Sequence, residues 1–493
     1  MRDEVTLQAT TNPDRPALVD AATDRAWTYD AFDSAVDATA GSLAALGVTP
    51  GDRVAVLLET RPAFATLVFA AARLGAVLVP LNARLSQPEL ATQADAVAPV
   101  AVICGRDTAT AADRLDAPAV RVADDATVRP LSGTDPDAVT PVDSAWDDTR
   151  LLLFTSGTTG DPTAVRLTYR NLAASAAASA ARLGVLPGDR WLCPLSMYHT
   201  GGVSVVLRTA LYGTTAVLTR TPGFDAAAVG EALETHDCTG VSLVPPMLDR
   251  LLEADAIPDS LRFALVGGAP TPPELVERAC AAGVPVCPTY GATETASQAA
   301  TLHASDAPAH PESVGRPLLG TTVTVVEPDT HTPVPDGQAG LLAVSGPTVT
   351  PGYAGEGTAP RCEHGLLTGD RGWIDADGFL HVGGRASDEI ITGGENVRPE
   401  AVAAVLREHP AIEAVAVVGV PDDAWGDRVG ALVVPADDTA DVSVASLRAF
   451  CDGRLAGYKH PRVVAAVDAL PRTASGTVDR QAAVAELRDD AAP

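Results

Sequence analysis

The sequence predicts an α/β protein in which a large N-terminal domain of layered sheets and helices precedes a small α+β domain. Short β-branched runs alternate with alanine-rich helical stretches over most of the chain, which is typical of layers built around largely parallel strands. Near residues 385–388 this pattern gives way to a compact unit of about a hundred residues. We therefore expect an N-terminal domain at 1–386 and a C-terminal domain at 387–493.

The individual elements follow from the same patterns. The apolar stretch at 64–81 is interrupted by Arg73 and Gly75, so it predicts a buried helix followed by a strand rather than a membrane span. Apolar runs bounded by turn residues predict strands at 151–154, 263–266, 284–287, 341–344, 365–372 and 379–382. In the C-terminal unit the patterns predict a helix at 399–408, strands at 415–420 and 431–434, and a helix at 443–455.

Charge and composition exclude several classes of partner. The chain of 493 residues has 63 acidic and 35 basic residues, a formal net charge of −28. Such a charge opposes non-specific binding to nucleic acid and to anionic membranes. Lys459 is the single lysine. Abundant aspartate with almost no lysine favours an intracellular protein of a halophile, working in salt that screens repulsion, over an acidic mesophilic protein.

The cysteines and the N-terminus bear on location. The seven cysteines lack C-x-x-C spacing and lie at positions 104, 193, 238, 280, 287, 362 and 451. We interpret them as free thiols in a reducing compartment rather than as disulfides or zinc ligands. The N-terminus has no apolar signal-peptide segment, so the expected location is the cytoplasm. The sequence leaves the oligomeric state open, a homodimer included.

A segment rich in glycine and hydroxyl groups follows the predicted strand at 151–154. It reads Thr155, Ser156, Gly157, Thr158, Thr159, Gly160. Its glycines allow backbone N–H groups to face inward, and its hydroxyls add donors suited to phosphate oxygens. It is not a Walker A loop, because no Gly-Lys-Ser/Thr follows. We favour an anion site here over the alternative, a flexible surface turn.

Further turns carry groups suited to a nucleotide. Residues 290–295, Y-G-A-T-E-T, offer a ring for a base, a hydroxyl for phosphate and a carboxylate for phosphate-bound Mg²⁺. Residues 368–370, T-G-D, offer a carboxylate for a ribose diol, although a plain Asx turn has the same pattern. The glycine pairs at 383–384 and 393–394 flank the domain boundary and by themselves indicate only a linker.

Taken together and in this order, the segments resemble a known family. The motifs T-S-G-T-T-G, Y-G-A-T-E-T, T-G-D, G-R-A-S-D, G-G-E-N and P-R-T-A-S-G, spread over residues 155–476, resemble the adenylate-forming (AMP-binding) superfamily of acyl-CoA synthetases. The resemblance covers essentially the whole chain. It implies two half-reactions: a carboxylate attacks the α-phosphorus of ATP to give acyl-AMP and pyrophosphate, and the thiol of coenzyme A then displaces AMP.

Within the superfamily, three stretches resemble the o-succinylbenzoate–CoA ligases of menaquinone biosynthesis. They are P-L-S-M-Y-H-T-G-G at 194–202, L-V-G-G-A-P at 265–270 and T-E-T-A-S-Q at 293–298. Arg208, nine residues after His199, matters most, because this family has a cation where ligases for ordinary fatty acids tend to have an apolar residue. A second carboxylate needs a charge-assisted partner in a mostly apolar pocket. The alternative for Arg208 is a surface helix arginine.

The resemblance implies a role for each matching residue. Thr155 to Gly160 would hold the β- and γ-phosphates, Tyr290 would stack on adenine, and Thr293 would touch the α-phosphate. Glu294 would ligate Mg²⁺, and Asp370 and Arg385 would bind the ribose. His199, Glu294 and Arg385 would be the catalytic residues. The remaining implied contacts are Gly268, Ala269, Pro270 and Gly291 for AMP, and His199, Arg208, Gly267 and Ser297 for the acid.

The thioester step of this superfamily uses a large rotation of the C-terminal domain. The resemblance therefore implies a mobile C-terminal domain with its hinge at Ser387. It also implies that Gly393 and Gly394 approach the pantetheine arm of coenzyme A closely, as only residues without Cβ can.

Two positions depart from the family pattern. After T-S-G-T-T-G the usual Pro-Lys-Gly is replaced by D-P-T-A, which places Thr163 near the missing lysine, and the lysine expected after P-R-T-A-S-G is Thr477. That second lysine normally reaches the reacting carboxylate, and its loss is expected to cost roughly 10²–10³-fold. Either adenylation is lost or another cation replaces the lysine, namely Arg472, Arg480 or Lys459. We interpret Lys459 itself as a solvated surface residue.

The leading hypothesis is a ligase that converts 2-succinylbenzoate, ATP and coenzyme A, with Mg²⁺, to 2-succinylbenzoyl-CoA, AMP and pyrophosphate. One alternative is a CoA ligase for another aryl, dicarboxylic or fatty acid, because pocket side chains decide specificity. The other is a nucleotide-binding pseudoenzyme, which the missing lysines at Thr163 and Thr477 motivate.

Overall fold

The computed structural model describes residues 3–122, 131, 139–143, 145–155, 163–220, 223–355, 358–385, 390–437, 441–471 and 478–489. The chain divides into two compact units. The first unit comprises 3–83, 94–155 and 163–384, and the second has its main segment from residue 385 onward. The short segment 84–93 also belongs to the second unit, which nothing in the sequence pattern indicated.

The helices of the described residues are mostly short and amphipathic or buried. In chain order they are α1 (Glu4–Thr11), α2 (Tyr29–Ala45), α3 (Pro62–Arg73), α4 (Gln87–Val97), α5 (Ala109–Ala112), α6 (Tyr169–Leu183), α7 (Thr200–Tyr212), α8 (Ala226–Thr235), α9 (Pro245–Glu253), α10 (Pro273–Ala281), α11 (Pro399–Arg407), α12 (Val444–Cys451) and α13 (Arg480–Asp489). Two 3₁₀ turns lie at Thr293–Thr295 and Gly457–Lys459.

The first unit contains the strands β1 (Pro16–Asp20), β2 (Arg25–Thr28), β3 (Arg53–Leu57), β4 (Val77–Pro80), β5 (Ala101–Cys104), β6 (Ala119–Arg121), β7 (Thr149–Thr155), β8 (Thr163–Thr168), β9 (Arg190–Cys193), β10 (Thr215–Leu218), β11 (Gly240–Leu243), β12 (Phe263–Val266), β13 (Val286–Tyr290), β14 (Ala300–Thr301), β15 (Arg316–Pro317), β16 (Thr322–Val326), β17 (Gly340–Ser345), β18 (Arg361–Cys362) and β19 (Gly365–Ile374). The remaining strands are β20 (Leu380–Arg385), which pairs with β19, and β21 (Ile390–Thr392), β22 (Glu395–Val397), β23 (Ile412–Asp422), β24 (Gly426–Pro435) and β25 (Val463–Ala466).

Two large sheets dominate the first unit. One has nine strands in the order β15-β14-β13-β12-β11-β9-β10-β1-β2, and the other has six in the order β6-β5-β3-β4-β7-β8. Pairing is parallel from β13 to β1 and from β6 to β7, as the sequence pattern predicts, and antiparallel only toward the edges. The predicted strands at 151–154 and 263–266 lie in β7 and β12, and the predicted helix and strand of 64–81 are α3 and β4.

The strand predicted at 284–287 is placed two residues too early. The N–H of Val284 donates to the carbonyl of Ala279 at 2.9 Å and Gly283 has φ +77°, so both residues close the end of α10. The strand β13 therefore begins at Val286 and runs to Tyr290. As a result, Tyr290 is the last residue of the strand, and its loop starts at the edge of the nine-stranded sheet.

A smaller antiparallel sheet, in the order β16-β17-β19-β18 with β20 beside β19, completes the first unit. It contains the strands predicted at 341–344, 365–372 and 379–382. Its buried face packs Val323, Val325, Leu342 and Val344 in one cluster with Tyr290. The antiparallel sheet is thereby attached to the end of β13, where the candidate site residues lie.

The second unit is built on a sheet ordered β22-β21-β24-β23, with β25 parallel to β24. The predicted helix at 399–408 is α11, and the strands predicted at 415–420 and 431–434 lie within β23 and β24. The helix predicted at 443–455 is too long. Asp452 leaves the helical region with ψ 130° and Gly453 has φ +73°, so α12 ends at Cys451.

The seven cysteines are free thiols, and five of them are buried. No helix among the described residues is long and apolar enough to cross a membrane.

Candidate active site

Parallel strands β11, β12 and β13 bring their carboxyl ends to one edge of the nine-stranded sheet, the usual position of ligand sites in such sheets. The residues that follow β12 are Gly267, Gly268, Ala269 and Pro270. A Cβ on Gly267 would lie 2.6 Å from Cγ2 of Thr289 on the neighbouring strand, and Gly268 has φ +81°. Glycine is therefore required at both positions for the chain to turn closely over the end of β13.

Tyr290 and Asp370, which the sequence assigned to adenine and ribose, lie together. The Tyr290 hydroxyl donates to Oδ2 of Asp370 at 2.6 Å, and both side chains are buried. Asp370 lies on β19 and Tyr290 at the end of β13, so two sheets meet at this hydrogen bond. A carboxylate can accept hydrogen bonds at both of its oxygens, which suits hydroxyl donors.

The loop after Tyr290 folds back tightly on itself. A Cβ on Gly291 would lie 1.8 Å from the carbonyl oxygen of Ser297, which excludes any other residue without a change of the loop. Ala296 and Ser297 both have positive φ, +52° and +96°. Backbone strain of this kind tends to persist where the surrounding structure holds a functional loop in one shape.

Glu294 lies in the 3₁₀ turn of this loop and is held from two sides. The Tyr353 hydroxyl donates to its Oε1 at 3.3 Å, and the N–H of Thr350 donates to its carbonyl oxygen at 2.8 Å. Burial, and then the Glu294 charge, raise the pKa of Tyr353 to about 12. Tyr353 also forms a bridge with Val165 of β8, so the Glu294 carboxylate lies near the hairpin that β7 and β8 form.

The hairpin of β7 and β8 carries the glycine- and hydroxyl-rich segment. Thr155 ends β7 and pairs with Thr163, the first residue of β8 and the position of one missing lysine. The residues between them, including Ser156, Gly157, Thr158, Thr159 and Gly160, lie outside the described residues. The residues that flank this segment, Thr155 and Thr163, lie beside each other. The same hairpin contacts Tyr353, which is hydrogen-bonded to Glu294.

Helix α7 contacts the same loop at its first turn. His199, half-buried, is the residue that precedes the helix, and its ring lies 4.9 Å from that of Tyr198. The Thr200 hydroxyl donates to Oγ1 of Thr293 at 3.0 Å. The predicted acid-pocket residue His199 and the predicted α-phosphate residue Thr293 are therefore brought to one place by adjacent contacts.

Arg208, eight residues after Thr200 on α7, reaches the other end of the loop. Its Nη2 donates to Oγ of Ser175 at 3.2 Å, and Ser175 donates to the carbonyl oxygen of Ala296 at 2.7 Å. Its guanidinium carbon also lies 5.7 Å from the centre of the Trp191 ring. Two hydrogen bonds thus connect Arg208 to the residue before Ser297, so the structure brings these two predicted acid-pocket residues close.

The alternative that Arg208 is a surface arginine is wrong, because the residue is only 2% exposed. Burial lowers the pKa of Arg208, and no carboxylate among the described residues pairs with it. Its Nε also lacks a hydrogen-bond partner in the described part of the chain. Such a buried cation is costly unless an anion compensates it.

Ser175, Trp191 and Tyr353 were not recognised from the sequence. Ser175 interrupts an alanine-rich stretch of α6, and a polar residue on a helix face that is otherwise small and apolar is a signal for a specific hydrogen bond. Tyr353 follows a Pro-Gly turn, which indicates only a loop. Their partners are far away in sequence, so local patterns do not identify them.

The structure describes only some of the site residues that the sequence predicts in the second unit and at the domain boundary. Gly393 and Gly394 have φ +57° and +79° and form the turn between β21 and β22. A two-residue hairpin turn of this type needs positive φ at both positions, which is a structural reason for the pair in addition to a close approach of pantetheine. The structure describes Arg385 by its backbone alone, and Ser387, Arg472 and Thr477 lie outside the described residues.

The interpretation of Lys459 as a solvated surface residue is wrong. Its Nζ pairs with the carboxylate of Glu89, also in the second unit, and each side chain is 17% exposed. The ammonium also lies 5.6 Å from the centre of the Tyr458 ring. The single lysine is therefore engaged in a mostly buried ion pair, because a segment distant in sequence packs against it.

Comparison with known proteins agrees with this geometry. The family model described as AMP-binding enzyme matches residues 5–354, and that of the AMP-binding enzyme C-terminal domain matches 401–477. A 2-succinylbenzoate–CoA ligase from Bacillus cereus (strain Q1) is 37% identical over 441 residues, 88% of each chain. The chain therefore belongs to the AMP-binding enzyme family.

Solved structures give the same result. A double mutant of the o-succinylbenzoate CoA synthetase of Bacillus subtilis, bound to the product analogue OSB-NCoA, is 33% identical and superposes with a TM-score of 0.91, covering 99% of this chain and 98% of that one. The same enzyme with the acyl-adenylate intermediate OSB-AMP is 32% identical, with a TM-score of 0.75 and 98% and 97% coverage. Its complex with ATP and a magnesium ion is 32% identical, with a TM-score of 0.74, and the match covers 99% of this chain and 100% of that one.

Proposed function

We propose that this protein is an ATP-dependent, AMP-forming acid–CoA ligase whose acid is 2-succinylbenzoate. The observation that carries the choice of acid is Arg208, a buried cation with no carboxylate partner among the described residues, joined through Ser175 to the loop that holds Ser297. A dicarboxylic acid supplies the missing negative charge. The relatives that are 2-succinylbenzoate–CoA ligases, and the solved complexes with OSB-AMP and OSB-NCoA, support the same substrate.

The proposed nucleotide contacts follow from the arrangement at the sheet edge. Tyr290 and Asp370 are in hydrogen-bond contact, which suits an adenosine whose base lies on the ring and whose ribose hydroxyls donate to the carboxylate. Thr293 is hydrogen-bonded to Thr200, beside His199 at the start of α7, which supports a position for Thr293 between the nucleotide and the acid. The segment 155–160, with Gly267 to Pro270, completes the proposed ATP site.

Magnesium is expected to bind with ATP. Mg²⁺ is commonly held by one or two carboxylates together with phosphate oxygens, and Glu294 offers a carboxylate positioned by Tyr353. When bound, the ion neutralises phosphate charge. The protein's own contribution is to hold the Glu294 carboxylate in place, since the Thr350 N–H fixes its backbone and the Tyr353 hydroxyl fixes its side chain.

The proposed reaction needs positioning more than covalent help. His199 and Thr200 at the start of α7 place the acid's reacting carboxylate beside Thr293, and Arg208 fixes the other end of the acid through its second carboxylate. The carboxylate oxygen attacks the α-phosphorus and pyrophosphate leaves with the bonding electrons. The thiol of coenzyme A, as thiolate, then forms the thioester bond while AMP leaves, and Gly393 and Gly394 are the proposed contacts of its pantetheine arm.

The test is a panel of acids measured for AMP release with and without coenzyme A, in concentrated salt. We expect 2-succinylbenzoate to be the best substrate, with AMP release dependent on coenzyme A and acid-dependent exchange of labelled pyrophosphate into ATP. A better rate with another aryl, dicarboxylic or fatty acid would reassign the substrate. Absence of exchange with every acid would support the alternative of a nucleotide-binding pseudoenzyme.

The missing lysine provides a second test. We expect Thr477→Lys to speed pyrophosphate exchange more than thioester formation from synthetic acyl-AMP, because the restored cation belongs to the adenylation step by family resemblance. Thr163→Lys is the matched variant at the other missing lysine. A gain confined to the thioester step would contradict the role assigned to position 477.

We further propose a cytoplasmic protein of a salt-rich cell. This rests on seven free thiols, a net charge of −28 and a single lysine. Activity that falls steeply when salt is removed is the expected result.

A further inference from the structure

Helix α6 carries a row of buried polar side chains along one face of an otherwise alanine-rich sequence. They are its N-cap residue Thr168, and Asn171, Ser175 and Ser179, spaced three or four residues apart. None of the four is more than 3% exposed. A buried hydroxyl or amide is costly without a hydrogen-bond partner, so these side chains indicate specific contacts of the helix.

Two of these residues hold the candidate active-site loop, one on each side of Glu294. Nδ2 of Asn171 donates to two backbone carbonyls of the segment 347–350, each at 2.9 Å, and a backbone N–H of that segment donates to the carbonyl of Glu294 at 2.8 Å. Ser175 donates to the carbonyl of Ala296 at 2.7 Å. The loop around Glu294 is therefore attached to α6 at two points.

The second attachment includes a charged residue, and the first does not. We define the Ser175 bridge as Arg208, Ser175 and Ala296. Because arginine has only donors, Ser175 accepts from Nη2 of Arg208 at 3.2 Å, and its single hydroxyl proton is given to the carbonyl of Ala296. A charged donor polarises the hydroxyl that accepts from it and strengthens the next hydrogen bond of the chain. The bridge thus connects the guanidinium group of Arg208 to the backbone of the loop.

Both ends of the Ser175 bridge need support from outside. Ala296 and Ser297 have φ +52° and +96°, a backbone conformation that persists only where the surrounding structure holds it. Arg208 is a buried cation without a carboxylate partner among the described residues, which is costly until an anion compensates it. An anionic group bound to Arg208 therefore stabilises the bridge and, with it, this shape of the loop.

We infer that Ser175 is a positioning residue that connects recognition of the acid's second carboxylate to the loop containing Glu294 and Ser297. This rests on the proposed function, in which that carboxylate binds Arg208 and Glu294 holds Mg²⁺ with ATP. A dicarboxylic acid then holds the loop in the shape that binds magnesium and ATP, and a monocarboxylic acid does not. Because such coupling is reciprocal, 2-succinylbenzoate and ATP with magnesium are expected to bind cooperatively, which adds to the selection of the acid.

The test measures binding of α,β-methylene-ATP with Mg²⁺, an analogue in which a carbon replaces the bridging oxygen that must leave in adenylation, so no reaction follows. We expect saturating 2-succinylbenzoate to lower the Kd of this analogue about tenfold, as for one hydrogen bond to a charged group. Benzoate, which lacks the second carboxylate, should leave the Kd nearly unchanged. Ser175→Ala is expected to abolish the effect of 2-succinylbenzoate, while its Kd without acid stays close to that of the unmodified protein.

The matched control is Ser179→Ala, which removes the same hydroxyl group one turn farther along α6. Ser179 is fully buried and lines a small cavity with Tyr212 and Thr214, which are not part of the loop. The effect of 2-succinylbenzoate on the Kd should therefore remain in this variant. Ser175→Cys keeps a weak donor and is expected to retain part of the effect. Should Ser175→Ala not fold, Ser175→Cys decides by the same comparison.

Acid-dependent pyrophosphate exchange separates this inference from the proposed function. Normal exchange in the unmodified protein without any effect of 2-succinylbenzoate on the Kd of the analogue would overturn the role of Ser175 while the ligase proposal stands. The same conclusion would follow if the full effect remained in Ser175→Ala or if Ser179→Ala lost it equally. Absence of exchange with every acid would overturn the ligase proposal itself.

Discussion

Two buried arginines in the first unit have opposite surroundings. Arg73, at the end of α3, has a side chain only 1% exposed and binds three carboxylates, those of Asp3, Asp33 and Asp37. Arg208, on α7, is 2% exposed and has a serine hydroxyl and an indole ring as its neighbours, with no carboxylate among the described residues. Both are helix residues of one compact unit, so burial alone does not distinguish them.

The pKa values of the two arginines shift in opposite directions. Burial would lower the pKa of Arg73, but its hydrogen bonds with Asp3 and the charges of Asp3 and Asp33 raise it. Burial lowers the pKa of Arg208, and no described carboxylate opposes the change. A buried charge that the protein itself neutralises stabilises the fold, because removing one partner leaves the remaining charges buried and unpaired. A buried charge that the protein leaves without a counter-charge is suited to a ligand that brings one.

The largest effect is expected from Arg73→Met, which should lower the free energy of unfolding by about 3–5 kcal/mol. The buried carboxylate of Asp3 would lose its cation, and α1 would lose its attachment to α3. Urea unfolding at fixed salt measures the change. Arg170→Met is the control, because Arg170 and Asp147 form an exposed pair whose loss should leave the free energy of unfolding nearly unchanged. Equally small decreases in the free energy of unfolding for Arg73→Met and Arg170→Met would contradict the role of Arg73 as a neutralised charge that stabilises the fold.

Arg208→Leu is expected to act on the substrate instead. The variant should lose about 10²-fold in kcat/KM for 2-succinylbenzoate, roughly 2.7 kcal/mol, because the second carboxylate loses the cation that Arg208 provides. The free energy of unfolding should stay the same or rise, since an uncompensated buried charge is removed. Benzoate, which lacks that carboxylate, serves as the control acid and should not lose rate. Parallel losses for both acids would contradict the assigned role. Arg208→Lys should have a kcat/KM for 2-succinylbenzoate between those of the unmodified protein and Arg208→Leu.

The smallest effect concerns pH. Burial alone would raise the pKa of Asp3, but the hydrogen bonds and charge of Arg73, together with Thr6, hold it below its ordinary value of 3.8. The resulting stabilisation is present above pH 3.8 and is lost as the pH falls toward the lowered pKa in the folded state. We therefore expect the difference in unfolding free energy between the unmodified protein and Asp3→Asn to shrink below about pH 4. A difference that stays constant down to pH 2 would show that Asp3 does not titrate in this way.

The grouping of the candidate site residues on the loop after β13 was predictable because these residues are contiguous in the sequence. Gly291, Thr293, Glu294 and Ser297 occur within one short motif, and the end of β13 brings them to the sheet edge as a group. The burial of Arg208 was not predictable. Nearly every face of α7 is buried, so the helical period gives no information about where one of its side chains lies.

The ion pair of Lys459 was also not predictable from the local sequence. A lysine beside Tyr458 and His460 has no local feature that predicts an ion pair, and its partner Glu89 is 370 positions away in the sequence. The length of α12 also depended on one residue, because Asp452 adopts an extended conformation where the predicted helix was to continue to Leu455. In both cases packing overrode the local preference.

By itself the sequence determined the family, the order of strands and helices, the positions of the glycine-rich turns and the acidic surface, because these depend on residue type and on short-range spacing. The tertiary structure alone decided which charges are neutralised. Asp3 lies 70 positions from Arg73, and Ser175 lies 33 from Arg208. Electrostatic and hydrogen-bond energies depend on distance in space and on exclusion of water, and neither quantity is fixed until the chain has packed.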